Sequence, residues 1–299
     1  MKGGNVVKSW IAFLLTAALA FWNCSGNNGN ETAIVYFGEE EPGFIPQLFA
    51  PQLFTRPDHF LHGFPSFSPD GKEVFWPVIP LNILTMKNEN GTWSEPAVAV
   101  FTEGNMQAPS FSPDGGRLYF QLSSPAGHGD LDIWYVEKSG SVWSAKKNPG
   151  SPPNSEQMES QPSLTKKGTI YYTGFSQNAA WNRGIYKCVC DGNRYNTPTL
   201  LPEPVNTEYI DYTPFISPDE TFLLFASTRP LTDENNMRIY VSFRHPDDTW
   251  TEPVNLNDIM DFDRPSRFPC MTPDGRFIVF LSENQYYWVS SRILEKCRP

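Results

Sequence analysis

Histidine is scarce in this chain, with four among 299 residues, and cysteine numbers only five. Cys188 and Cys190 are the one close pair. No second Cys or His pair has the spacing of a zinc site, which excludes a zinc-knuckle class. Runs of lysine and arginine are missing, and the formal net charge is −10. Nucleic-acid binding needs a basic patch, so that class is excluded too. Long apolar runs are also lacking. The single candidate, Trp10 to Ala20, is too short to span a bilayer as a helix. No Gly-x-Ser-x-Gly elbow occurs, and the length leaves no room for a separate α/β domain, which excludes a serine hydrolase of prolyl-peptidase type.

What is present points to β-structure. Twenty-eight prolines and 21 glycines fit many tight turns. Aromatic residues make up 14% of the chain and can supply a large buried area.

The N-terminus reads as an export signal over residues 1–23. Lys2 and Lys8 precede the short apolar stretch. Two processing routes fit it. Ala18-Leu19-Ala20 is a small-x-small cleavage site. Alternatively Cys24 carries a bacterial lipid anchor, followed by a polar tether over 24–32. Residues 33–299 then form the folded domain, expected in the periplasm or at the cell surface. Export permits disulfides. A Cys270–Cys297 bridge would tie the end of the chain together; four free thiols are the alternative.

One phrase recurs through that domain. Phe64-Pro65-Ser66-Phe67-Ser68-Pro69-Asp70-Gly71 returns as Ala108-Pro109-Ser110-Phe111-Ser112-Pro113-Asp114-Gly115. Weaker copies surround Pro162, Pro214 and Pro269, so the leading prolines stand 44, 53, 52 and 55 residues apart. A period near fifty residues signals a repeat architecture. Each copy reads as an inner strand, a Pro-Asp-Gly turn, a second strand such as Arg117-Leu118-Tyr119-Phe120, and a third such as Ile133-Trp134-Tyr135-Val136. An aromatic residue, Trp93, Trp143, Tyr195 or Trp250, is expected to open a fourth. Four antiparallel strands per repeat make a propeller blade, and blades in a ring cover one another's faces. The last copy lacks a fourth strand, and Phe44 to Pro51 supplies a spare one. The chain is therefore expected to be an all-β propeller of five blades, closed by its N-terminal strand. A sixth blade built from residues 33–62 is the alternative count.

The repeated Ser-Pro-Asp-Gly phrase resembles the repeat of the TolB-type, WD-like β-propellers over residues 44–293. The exported acidic chain also resembles secreted or lipid-anchored bacterial propellers. The resemblance implies a propeller fold and a habit of binding. TolB-type propellers usually have six blades, and five copies depart from that number. The phrase also resembles the sialidase aspartate box, but the glycine follows the aspartate directly here and no arginine triad can be picked out.

Internal comparison locates candidate site residues. Six positions before the leading prolines stand His59, Glu103, Glu156, Glu208 and Asp263. Inner-strand starts add His62, Glu159 and Asp211. Loops between second and third strands on the same face add His128, Asp130, Arg183 and Arg229. Together they define an expected acidic channel mouth. A ring of carboxylates there would attract a cation such as Ca²⁺, although no cofactor is otherwise expected, or would bind an envelope protein or glycan. The alternative is that these acids accept backbone hydrogen bonds and keep the repeat geometry. His59 and His62, three apart on extended chain, point to opposite sides, so a shared metal is not expected. The aspartates Asp70, Asp114, Asp219 and Asp274 are expected to serve their own turns. The expected role is non-catalytic binding by a monomer that touches the membrane only through its anchor. A carbohydrate-active hydrolase or lyase using Glu159 and Asp211 is the runner-up.

Overall fold

A computed structural model of the chain describes residues 34–299 other than 35, 81, 103, 104, 176–182 and 193. The expected signal segment, the tether and Cys24 lie outside the described residues.

Five antiparallel blades form a ring, a five-bladed β-propeller. In blade 3 the inner strand Glu159–Leu164 pairs with Ile170–Phe175, which pairs with Arg183–Cys188, which pairs with the outer strand Thr199–Leu200. Blade 4 repeats this with Asp211–Ile216, Phe222–Ser227, Arg238–Phe243 and Val254–Asn255. The second strands are the central, most apolar ones. Leu223 through Ser227 are all buried, as both faces of a blade interior demand.

The repeated phrase earns its recurrence at two places. At the turn, Ser112 Oγ donates to Asp114 Oδ1 at 2.6 Å, and that carboxylate also accepts from the Gly116 N–H. Ser68 with Asp70 and Thr272 with Asp274 repeat the arrangement. The aspartates are thus turn residues. At the strand, Ser66 Oγ accepts the Phe111 N–H at 3.0 Å and Ser163 Oγ accepts the Ile216 N–H at 2.9 Å. Each of these serines ties its blade to the next.

The ring closes as the spare strand requires. Gln47–Leu48 supplies the outer strand of blade 5, with Gln47 paired to Trp288 and Leu48 to Tyr287. The approach to that strand is aromatic. Tyr36, Phe37, Phe49 and Phe54 pack among Phe67, Trp76, Phe277 and Trp288, filling the junction of the last and first blades. Tyr36 and Phe37 join no strand, and no sixth blade forms among the described residues.

Two expectations need correction. The aromatic residue opens a fourth strand in two blades only. Thr92–Trp93 and Val142–Trp143 pair with the third strands of blades 1 and 2. In blade 3 Arg194–Tyr195 pairs only with Cys190–Asp191, and the outer strand is Thr199–Leu200. In blade 4 Trp250 makes an isolated bridge to Arg244, and the outer strand is Val254–Asn255. Trp143 also packs inward against Phe75, Phe101 and Phe111. Second, no Cys270–Cys297 bridge forms: all four described cysteines are free. Cys270 Sγ donates to Pro65 O across the junction of the first and last blades, while Cys297 packs in a separate cluster beneath the C-terminal turn.

Candidate functional site

Inner strands carry the same local distortion in four blades. Ala108, Gln161, Thr213 and Phe268, each just before the leading proline, have φ of 51°, 49°, 52° and 55°. Left-handed backbone is costly for these residue types. Its recurrence at one repeat position makes it architectural. It comes with a register shift that turns the amide toward the preceding blade. The Gln161 N–H donates to Gln121 Oε1 at 3.1 Å, and the Thr213 N–H donates to Thr173 Oγ1 at 3.0 Å. Side chains of one blade thereby hold the strand of the next.

Where these strands begin, residues of blades 2 and 5 meet His62 of blade 1. Gln107 Oε1 accepts from His62 Nδ1 at 3.1 Å and from Gln121 Nε2 at 3.2 Å. Phe268 of blade 5 meets the imidazole edge-on, with ring centres 5.5 Å apart, and Tyr212 of blade 4 stands 6.2 Å from Phe268. Arg267 lies over the Phe268 ring at 5.8 Å. One side of the His62 imidazole is therefore amide, and the other aromatic. Burial pushes the His62 imidazole below its ordinary pKa. The Gln107 bond opposes that shift, and the guanidinium groups of Arg267 and Arg183 reinforce it.

The sequence candidates divide into three groups. His62 stands beside Gln107 and Phe268, and the Arg183 charge helps to lower its pKa. Glu159 and Asp211 are buried in their own blades. Glu159 accepts from the Ser155 N–H and hydroxyl, and Asp211 from those of Thr207. Asp211 also meets Arg229 Nη2 at 2.6 Å, and Arg229 donates on to the carbonyls of Pro204 and Val205. These are the acids that hold loop backbone. Glu156, Glu208 and Asp263, three positions earlier, are exposed, and Asp263 meets Arg238 at 3.1 Å. His128 and Asp130 are exposed as well. His59 contacts Asp58 at 3.1 Å. Glu103 lies outside the described residues. Among the described residues no group of three or more His, Cys, Asp or Glu could hold a metal ion.

Sequence reasoning missed three asparagines. The Asn154 amide bridges Ile133 N and O, and Asn206 does the same at Ile185. Asn257 accepts from Ile239 N at 2.9 Å. Their spacing of 52 and 51 residues was a legible signal. It also missed Gln107, Gln121, Tyr212, Arg267 and Phe268, which no repeat marks because each blade supplies a different side chain.

No family profile matches the chain, and no curated protein does. Solved structures do. A thermostable family-43 glycoside hydrolase is 13% identical, with 78% of this chain and 89% of that one covered and a TM-score of 0.53. An α-L-arabinofuranosidase from Lactobacillus brevis is 15% identical over 78% and 87%, with a TM-score of 0.52. A putative TolB from Agrobacterium tumefaciens is 20% identical over 75% and 70%, at a TM-score of 0.49. At these identities the likeness to the hydrolases is one of fold: this chain shares the β-propeller, and its chemistry rests on its own residues.

Proposed function

We propose that this chain is an exported, non-catalytic binding propeller, TolB-like in its repeat, whose axial mouth takes a hydroxyl-rich ligand bearing negative charge, such as an acidic envelope glycan. The observation that carries the reading is the convergence on His62 of Gln107, Phe268 and the Arg267 and Arg183 charges. Amides and a neutral imidazole suit hydroxyl groups, an aromatic edge suits a sugar face, and guanidinium groups suit a carboxylate. On this reading the charge beside His62 is that of Arg267 and Arg183. Hydrolysis would call for two available carboxyl groups roughly 5–10 Å apart. Asp211 is already committed to Arg229 and Thr207, which favours binding.

Titration calorimetry against acidic and neutral oligosaccharides tests this. Acidic glycans should bind, and Arg267→Ala should weaken them at least tenfold without changing the melting temperature. Equal affinity of the variant, or preference for neutral sugars, would reject the reading. Export with lipidation at Cys24 belongs to the same proposal. Mass spectrometry of the mature N-terminus tests it, and an unmodified chain starting at Phe21 would refute the anchor.

A further inference from the structure

Three blades build the same aromatic shelf from their second and third strands. The ring pairs are Tyr172–Tyr186 in blade 3, Phe225–Tyr240 in blade 4 and Phe280–Tyr287 in blade 5. Their centroids lie 5.7, 6.0 and 5.9 Å apart, and all three pairs are stacked. In two blades the chain covers its own shelf. Phe262 packs on Phe280 and Tyr287 at 5.4 and 5.0 Å. The Arg229 guanidinium sits 5.2 Å from the centres of both Phe225 and Tyr240. There it meets Asp211 Oδ1 and donates to Pro204 O and Val205 O.

Among the described residues, blade 3 has the other parts of that cradle and no guanidinium stacked on its ring pair. Glu159 stands at the register position of Asp211: it pairs with Gly174 as Asp211 pairs with Ser227. Pro152 and Pro153 precede the Asn154 latch as Pro204 and Val205 precede Asn206. Two residues on from Gly174, as Arg229 is from Ser227, the sequence has Ser176, which lies outside the described residues, and residues 176–182 contain no lysine or arginine. Among the described residues a cleft of about 570 Å³ lies over the shelf, lined by Glu159, Tyr172, Phe175, Tyr186, Pro153 and Pro198. Gly174 keeps its floor clear, since a Cβ there would meet Tyr186 Cδ2 at 2.8 Å. Glu159 is 3% exposed, and no lysine or arginine ion-pairs with it among the described residues.

We infer that the blade 3 cleft is a binding site for a guanidinium or alkylammonium group, held by the Glu159 carboxylate and stacked on Tyr172 and Tyr186. The cation replaces from outside what Arg229 supplies internally to blade 4. Stacking on tyrosine and a charge-assisted hydrogen bond are the two contacts a guanidinium makes best. Burial raises the Glu159 pKa, the Ser155 bonds oppose that, Asp132 adds to the rise and His128 opposes it. A bound cation would relieve the burial penalty. This site is separate from the His62 mouth and of opposite charge preference, so either can stand without the other.

Calorimetric titration of the full chain with agmatine tests the inference. One agmatine per chain should bind. Affinity should fall at least tenfold in Glu159→Gln, and the neutral ureido analogue of agmatine should not bind. Thr197 is exposed at the cleft rim. Thr197→Trp should therefore block the cleft without touching the carboxylate, which keeps the test valid if Glu159→Gln fails to fold. A peptide with one amidated arginine distinguishes the source. Tighter binding of the peptide than of agmatine assigns the site to a partner's side chain, and the reverse to a free small cation. Absence of agmatine binding, or unchanged binding in Thr197→Trp, would overturn the assignment.

Discussion

Gln47 pairs with Trp288, joining the first described strand of the chain to the last. The outer strand of blade 5 is therefore borrowed from the far end of the sequence, and no blade can be lost without opening the ring. Phe49, fully buried beside this pair, stacks on Phe54 and stands 4.9 Å from Trp288. Removing residues 33–55 should abolish cooperative unfolding. The finer test is Phe49→Ala, expected to cost about 3–5 kcal/mol by cavity formation. A melting curve that matches the parent would show that closure contributes little.

Asn206 reaches three backbone groups at once: it accepts from Ile185 N and donates to Ile185 O and Leu201 O. Alanine there strands buried groups at roughly 1–3 kcal/mol each. The expected result is a lowered denaturation midpoint with an unchanged slope. Loss confined to amide exchange in blade 3, with the midpoint intact, would mean that the latch acts only locally.

The buried Asp211–Arg229 pair makes a sharper prediction. Arg229→Met leaves the Asp211 carboxylate uncompensated and should cost about 3–5 kcal/mol. Adding Asp211→Leu should recover much of that loss, because the unpaired charge goes too. A double variant as unstable as the single would show that the bonds from Arg229 to Pro204 and Val205 carry the effect.

The architecture was legible because it is repeated. Five copies of one phrase each report the same turn and the same strand, so errors in one copy are corrected by the others. Even the closing strand showed as a missing piece at one end and a spare at the other. The sites were less legible because they depend on what differs between blades. Position three before the leading proline is His62, Met106, Glu159, Asp211 and Ser266 in turn. Two of these five are acids. In space Asp211 is neutralised by Arg229, Glu159 faces a cleft, Met106 is buried, and Ser266 accepts from Asn257 Nδ2 and donates to Arg264 O. Only side-chain packing separates these fates, and no spacing in the sequence encodes it.

His62 should give the mouth a pH signature. Its folded pKa is lowered, burial being the main cause. An unfolded chain, with an ordinary histidine pKa of about 6.5, then takes up protons that the folded one refuses. The stability that neutral His62 contributes is complete above about 6.5 and declines as the pH falls from there toward the folded pKa. Histidine NMR should place this imidazole below its ordinary titration point. Melting temperatures of the parent and of His62→Asn should diverge across the same window, the parent losing more on acidification. Parallel curves would mean the imidazole titrates alike in both states, and with that the crowded, cation-flanked setting assigned to it at the mouth would fail.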